Sequence, residues 1–239
     1  MNRRRRVEVP DRFCRLYSSF LLLCLLLPGW QLLYAQRGSK DSSMKMIDIK
    51  GDSLRGFKSE TASYQRIIGS VVIQHEGTTM TCDSAHFYLD RNYVEAYSHV
   101  QIRSNRGTQA MGDYIQYAGA DHTAMMRGNV KVVDSTNTLY TEVLTYNLST
   151  RTGKYYEGGT LQTSENTVSS DEGIYEVNTK QAWFKKNVWI THPRYTISSK
   201  ELTYNTNTKL IRFLDESTIE SDSSIIRTSG GTYDAKNEK

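Results

Sequence analysis

An all-β fold, an elongated antiparallel jelly roll open at its ends, is predicted by three properties of this chain. Six tyrosines, Tyr88, Tyr117, Tyr146, Tyr175, Tyr204 and Tyr233, stand 29 residues apart. A period of this size marks an architecture in which one supersecondary unit recurs and buries its apolar face on its neighbours. Within each unit, apolar and polar residues alternate, Val, Thr and Tyr are frequent, and turn residues return every ~8–12 positions, the antiparallel signature. Of three prolines only Pro193 lies in the array, in His192-Pro193-Arg194, so continuous ladders are permitted.

Residues 1–35 read as an export signal. Arg3 to Arg6 form a basic start, Phe20 to Leu27 an apolar core broken by Pro28 and Gly29, and Leu33-Tyr34-Ala35 resembles a cleavage site. Retention as an inner-membrane anchor is the alternative, because Leu32 and Leu33 extend the run. Leu21-Leu22-Leu23-Cys24 lacks the small residues a lipobox needs. Residues 36–45 are polar and small, a flexible lead-in. The array then occupies 46–239. Its first unit is degenerate: Ile47 and Ile49 alternate, Phe57 takes the tyrosine's place, and Tyr64 precedes Tyr93 by 29.

A Val-x-Ile/Val step recurs at Val71–Ile73, Val100–Ile102, Val130–Val132 and Val188–Ile190, with weaker copies at Leu161 and Ile219. Leu144 alternates with Tyr146. Polar breaks follow the tyrosines at Asp90-Arg91-Asn92, Asn147 to Gly153, Asn178-Thr179-Lys180 and Asn205 to Lys209. Each unit should give two or three short strands, roughly 15 in all. Two facing sheets, each gaining a rung per unit, would turn Val71, Ile73, Val100, Ile102, Val130, Val132, Leu144, Val188, Ile190 and the tyrosines Tyr88, Tyr117, Tyr146, Tyr175 and Tyr204 inward. A propeller blade needs ~40–50 residues. A β-helix, the nearest competitor, would repeat its turn residues more strictly.

Composition excludes several classes. Residues 1–35 hold six of the 30 Lys and Arg and two of the 26 Asp and Glu, which leaves 24 of each. That balance gives no electrostatic footprint for nucleic acid. Cys14 and Cys24 depart with the leader, so Cys82 has no intramolecular disulfide partner. Placed where Met111 and Tyr140 stand in later units, Cys82 reads as a buried, inert thiol.

No catalytic constellation, cofactor loop or metal set emerges. The histidines (His75, His86, His99, His122 and His192) fall at unrelated positions; His86, two residues before Tyr88, reads as a core substitution equivalent to Ile115 and Leu144. Asp113, Glu142 and Asp171 recur four residues before a tyrosine and read as turn or rim chemistry. The chain is expected not to be an enzyme. The tyrosines either fill a core or line a groove that an apolar ligand enters.

Gly-Asn-Val-Lys-Val at 128–132, Leu-Thr-Tyr-Asn at 144–147, Asp83 to Tyr88 and Lys200 to Tyr204 resemble the repeat of the OstA-like, LptA-type family over about residues 46–239. The resemblance implies a periplasmic bridge protein of lipopolysaccharide export. It implies a twisted jelly roll whose interior shields the acyl chains of lipid A, and the inward residues above would be its lipid-binding set. It also implies partners: other β jelly-roll transport proteins docked through strand edges, or head-to-tail self-assembly. The chain stops partway through a unit, so its last edge is left open or the chain is a fragment. The rivals are a structural or adhesive cell-envelope repeat protein with a closed core, and a carbohydrate-active β-helix enzyme.

Overall fold

The computed structural model describes residues 5–9, 47–58, 63–75, 77–88, 90–105, 107–134 and 136–236. The expected leader and lead-in lie outside them, apart from residues 5–9. The strands are β1 (Arg5–Val9), β2 (Ile47–Gly51), β3 (Ser53–Lys58), β4 (Ser63–His75), β5 (Thr78–Tyr88), β6 (Tyr93–Ser104), β7 (Gln109–Ala118), β8 (Thr123–Asp134), β9 (Asn137–Asn147) and β10 (Thr152–Tyr155). They continue with β11 (Gly159–Gln162), β12 (Thr167–Ser170), β13 (Glu172–Glu176), β14 (Gln181–His192), β15 (Tyr195–Asn205), β16 (Leu210–Phe213), β17 (Ser217–Ser221), β18 (Ser224–Thr228) and β19 (Gly231–Asp234). All belong to one antiparallel sheet of 19 strands, more than the roughly 15 expected. Many strands are long and bend midway; where the ladder breaks at the bend, two strands stand in line, as β10 with β11.

The bend is written in residues that accept a left-handed backbone. Gly69-Ser70 in β4, Ser98-His99 in β6, Gly128-Asn129 in β8 and Lys186-Asn187 in β14 all have positive φ. Two such residues together leave the ladder, and the register shifts at each of these places. The partner strand spends one residue at the corner where the bent strand spends two, a bulge that sharpens the turn. Asp83 and Asp113 are two of those single residues, and Asp171 holds the equivalent place in the break between β12 and β13. Their carboxylates reach the neighbouring corner: Asn129 Nδ2 donates to Asp113 Oδ2 at 2.8 Å, Asn187 Nδ2 to Asp171 Oδ2 at 2.7 Å, and His99 Nδ1 lies 2.7 Å from Asp83 Oδ2. At the next corner the charges are reversed, with Lys200 Nζ on Glu216 Oε2 at 2.7 Å. Glu142, also expected at the rim, occupies the corner position of β9 beside Gly158.

Just inside the corner a small side chain returns its hydrogen to the carbonyl two residues on. Cys82 Sγ donates to Ser84 O, Ser170 Oγ to Glu172 O and Ser199 Oγ to Glu201 O, while Thr141 Oγ1 in the same place donates across the corner to Gly158 O at 2.7 Å. Carbonyls that the bulge removes from the ladder are thereby satisfied. The polar breaks become four-residue turns ending in left-handed Asn92, His122, Arg151, Lys180 and Lys209. Their carbonyls accept from Gly119, Leu148, Val177, Thr206 and Ala235 N respectively, tying each turn to the next rung.

Beyond the bend, the inward face continues across the sheet, and residues on both sides of it pack into the same core. One cluster joins Ile67, Val71, Ala85, Phe87, Ala96, Val100, Ile115, Met126, Val130 and Leu144; a second joins Val168, Phe184, Val188, Ile190, Ile197, Leu202, Tyr204, Ile211 and Phe213.

Candidate functional site

The interior is the candidate site, and its lining follows from the alternation of the strands. Val71, Val100, Val130 and Val188 stand immediately past their bends, with at most 1% of their surface exposed. Two residues on, Ile73 and Ile190 are buried, and Ile102 and Val132 are partly buried against the first cluster. Leu161 and Ile219 align with this second position, not with the valines. Gly159 and Ser217 hold the valine position in their rungs, and neither resembles valine enough to betray it in the sequence. Leu144 closes the first cluster.

The tyrosines divide. Tyr204 is only 1% exposed, and burial pushes its hydroxyl up to about 12. Tyr175 and Tyr233 pack partly buried against the second cluster. Tyr117 and Tyr146 share the parity of Ile115 and Leu144 and are half-buried. Tyr88 does not belong with them. In β5 beyond the bend the buried residues are Ala85 and Phe87, so Phe87 occupies the place of Tyr117 and Tyr88 points to the outer face. The turn between β6 and β7 contains one residue more than the later turns, which makes this step 30 residues. The same offset corrects two further assignments: His86 faces outward, where Ala85 is the counterpart of Ile115, and Cys82 corresponds to Gly112 and Thr141. Cys82 is nonetheless buried, and burial raises its thiol to about 11, so it stays protonated and inert.

Two features were missed in the sequence. Tyr155, from β10, is buried and belongs to neither cluster. Its hydroxyl lies 2.7 Å from Ser170 Oγ. Ser170 already donates to Glu172 O, so the tyrosine is the donor. A Cβ on either Gly159 or Gly173 would collide with its ring; two glycines make room for one tyrosine. Spacing gives no hint of it, although a Gly at the valine position of one rung was a usable signal.

The other feature is on the outer face of β5–β7. Tyr88, Tyr93, Tyr97 and Tyr114 donate to the carboxylate of Glu95 at 3.1, 3.3, 2.7 and 2.8 Å. His86 Nδ1 is 3.8 Å from the same carboxylate. Burial alone would raise the Glu95 pKa, but hydrogen bonds from four phenols outweigh it and hold the group below its ordinary range. Burial and the adjacent Glu95 carboxylate raise Tyr88, Tyr97 and Tyr114. Tyr93, Glu95 and Tyr97 alternate along β6 and so share a face, a local signal, whereas His86 and Tyr88 of β5 and Tyr114 of β7 join them only through strand pairing.

No helix among the described residues is long and apolar enough to cross a membrane. A search of curated proteins returns no match. Among solved structures, the chain is similar to LptH of Pseudomonas aeruginosa, described as the LptA-homologous periplasmic component of the conserved lipopolysaccharide transport device. The identity is 21%, the match covers 42% of this chain and 75% of LptH, and the TM-score is 0.38. The OstA-like protein family matches residues 44–200, about two thirds of the sequence, and the chain belongs to that family.

Proposed function

We propose that this protein is exported to the periplasm and carries lipopolysaccharide, its interior shielding the acyl chains of lipid A. One observation supports this above others: Val71, Val100 and Val130, and Ile73, Ile102 and Val132, recur on alternate strands with only small or apolar residues (Cys82 and Gly112, Met80 and Ala110) between them, an apolar stripe across the sheet. An acyl chain in water loses ~0.8 kcal/mol per exposed methylene, on the order of 10 kcal/mol in all. A carrier therefore needs a continuous apolar track, and repeated equivalent rungs let lipid advance without one deep well. Membership of the OstA-like family supports the same reading. So do the strand edges: β18 pairs only with β17 and β19 only with β16 among the described residues, which suits docking of another β jelly roll by strand addition or head-to-tail self-assembly. The reading calls for no cofactor and no catalytic group.

A closed structural core is the second reading, and burial in both clusters favours it: Val71, Ala85 and Ala96 in the first and Ile197 and Leu202 in the second are fully buried. A photo-crosslinker at Val130 or Tyr146 separates the two. Transport expects a lipopolysaccharide adduct in cells; no adduct from any inward position of the first cluster rejects it in favour of the closed core.

A further inference from the structure

We propose that the outer face of β14, β15, β17 and β18 holds a saccharide-binding trough that takes a sugar bearing an anionic group. Register sets Trp189 opposite Ser198, Ser198 opposite Thr218 and Thr218 opposite Arg227. This row is on the face opposite buried Val188, Ile197 and Ile219. Two small hydroxyl residues therefore lie between an indole and a guanidinium. Three strand spacings, ~14 Å, separate the backbones of the two walls, which is room for a pyranose ring and its substituents. The depression has a volume of about 720 Å³ and is closed toward the corner by the Lys200–Glu216 pair.

The chemistry of the walls selects the ligand. Trp189 is 47% exposed, a large apolar surface that contributes little to the core. One flat apolar ring among hydroxyls and charged groups matches the C–H face and the hydroxyl rim of a sugar. An acyl chain would find a single apolar contact there. With Glu216 engaged by Lys200, Arg227 leaves the trough net positive, suited to a phosphate in a charge-assisted pair.

The test uses the purified full chain, glucosamine 6-phosphate as probe, and glucosamine and inorganic phosphate as separate arms. The indole N–H resonance of Trp189, assigned by its loss in Trp189→Ala, is the readout. A saturable shift is expected with the sugar phosphate, weaker with glucosamine, and absent with phosphate alone. Arg227→Gln should weaken the sugar phosphate at least tenfold while leaving glucosamine unchanged, and Ser198→Phe, which fills the floor, should abolish both. An equal response to phosphate alone, no saturable shift, or indifference to Ser198→Phe overturns the proposal. The probe has no acyl chain, so this outcome is independent of whether lipid enters the interior.

Discussion

The two halves of the molecule differ in how many aromatic rings they bury in the core. In the first cluster the buried side chains are aliphatic or small, with Phe87 the exception; a group of rings gathers on the outer face, where Tyr64 stacks on Phe57 at 5.1 Å and Tyr97 lies 5.2 Å from Tyr114. In the second, Phe184, Tyr195, Tyr204 and Phe213 are inside, and the outer face carries ion pairs such as Lys185–Glu201 and Lys186–Glu172. An aliphatic interior is made of side chains that an acyl chain can replace contact for contact. Rings interlocked across the fold are not so easily parted. Under the proposed function, carriage would fall to the first half and rigidity to the second, with Tyr155 between them.

The largest effect expected from this contrast is on stability. Phe184→Ala should cost ~3–5 kcal/mol, and Val100→Ala less, because fewer contacts are lost and the cavity is smaller. Urea unfolding of both variants measures it. Equal losses would mean that the halves are packed alike, and the division of labour would go.

Tyr155 gives a sharper test. Tyr155→Ala should lose ~3–5 kcal/mol as a buried aromatic, and Tyr155→Phe only ~0.5–1.5 kcal/mol, the net value of its hydrogen bond to Ser170. If the ring limits lipid to the first half, a crosslinker at Ile190 should gain a lipopolysaccharide adduct in Tyr155→Ala and in no other background. Adducts at Ile190 in the unaltered protein would remove the boundary.

How these features relate to the sequence follows from how far their causes extend along the chain. Val71, Val100, Val130 and Val188 could be placed inward because alternation is local and β-branched residues advertise it. The polar breaks were legible as turns for the same reason. The corner acids Asp113 and Asp171 could be read as rim chemistry, although their Asn partners, 16 residues away, could not. Tyr88 was misplaced because identity of residue type suggested a register that one extra residue in a turn had altered. Tyr155 and Glu95 depend on contacts between strands that only the folded sheet brings together.

The outer aromatic group should be sensitive to pH in two directions. Glu95 has a depressed pKa in the folded state, so its contribution is present above the unfolded value, ~4.3, and is lost as pH falls through the lower folded value. The tyrosines are raised, so theirs is complete below ~10 and is lost as pH rises through the folded values. Glu95→Gln leaves phenols without a full acceptor and should cost ~1–3 kcal/mol near neutrality. The gap in Tm between this variant and the unaltered protein should narrow in acid. A gap independent of pH would show that the carboxylate's charge is immaterial to the cluster.

The smallest effect is at the corners, and it separates two causes. Asn129 both donates to Asp113 and occupies φ of 50°. Asn129→Gly keeps the backbone at ease and loses only an exposed hydrogen bond, so ~0.5 kcal/mol or less is expected after screening by solvent. Asn129→Val loses the same bond and also forces a β-branched residue into the left-handed region, adding ~1–2 kcal/mol. Asp113→Ala should match the glycine variant, and the double variant Asp113→Ala with Asn129→Gly should cost no more than either alone. Thermal melts of the four proteins check the set. If the glycine variant fell as far as the valine one, the clasp and not the backbone would hold the bend. The second half offers the control, because its Lys200–Glu216 corner makes the turn with neither residue at positive φ. A bend that tolerates both solutions is set by the bulge itself, and the side chains above it are free to differ between the halves.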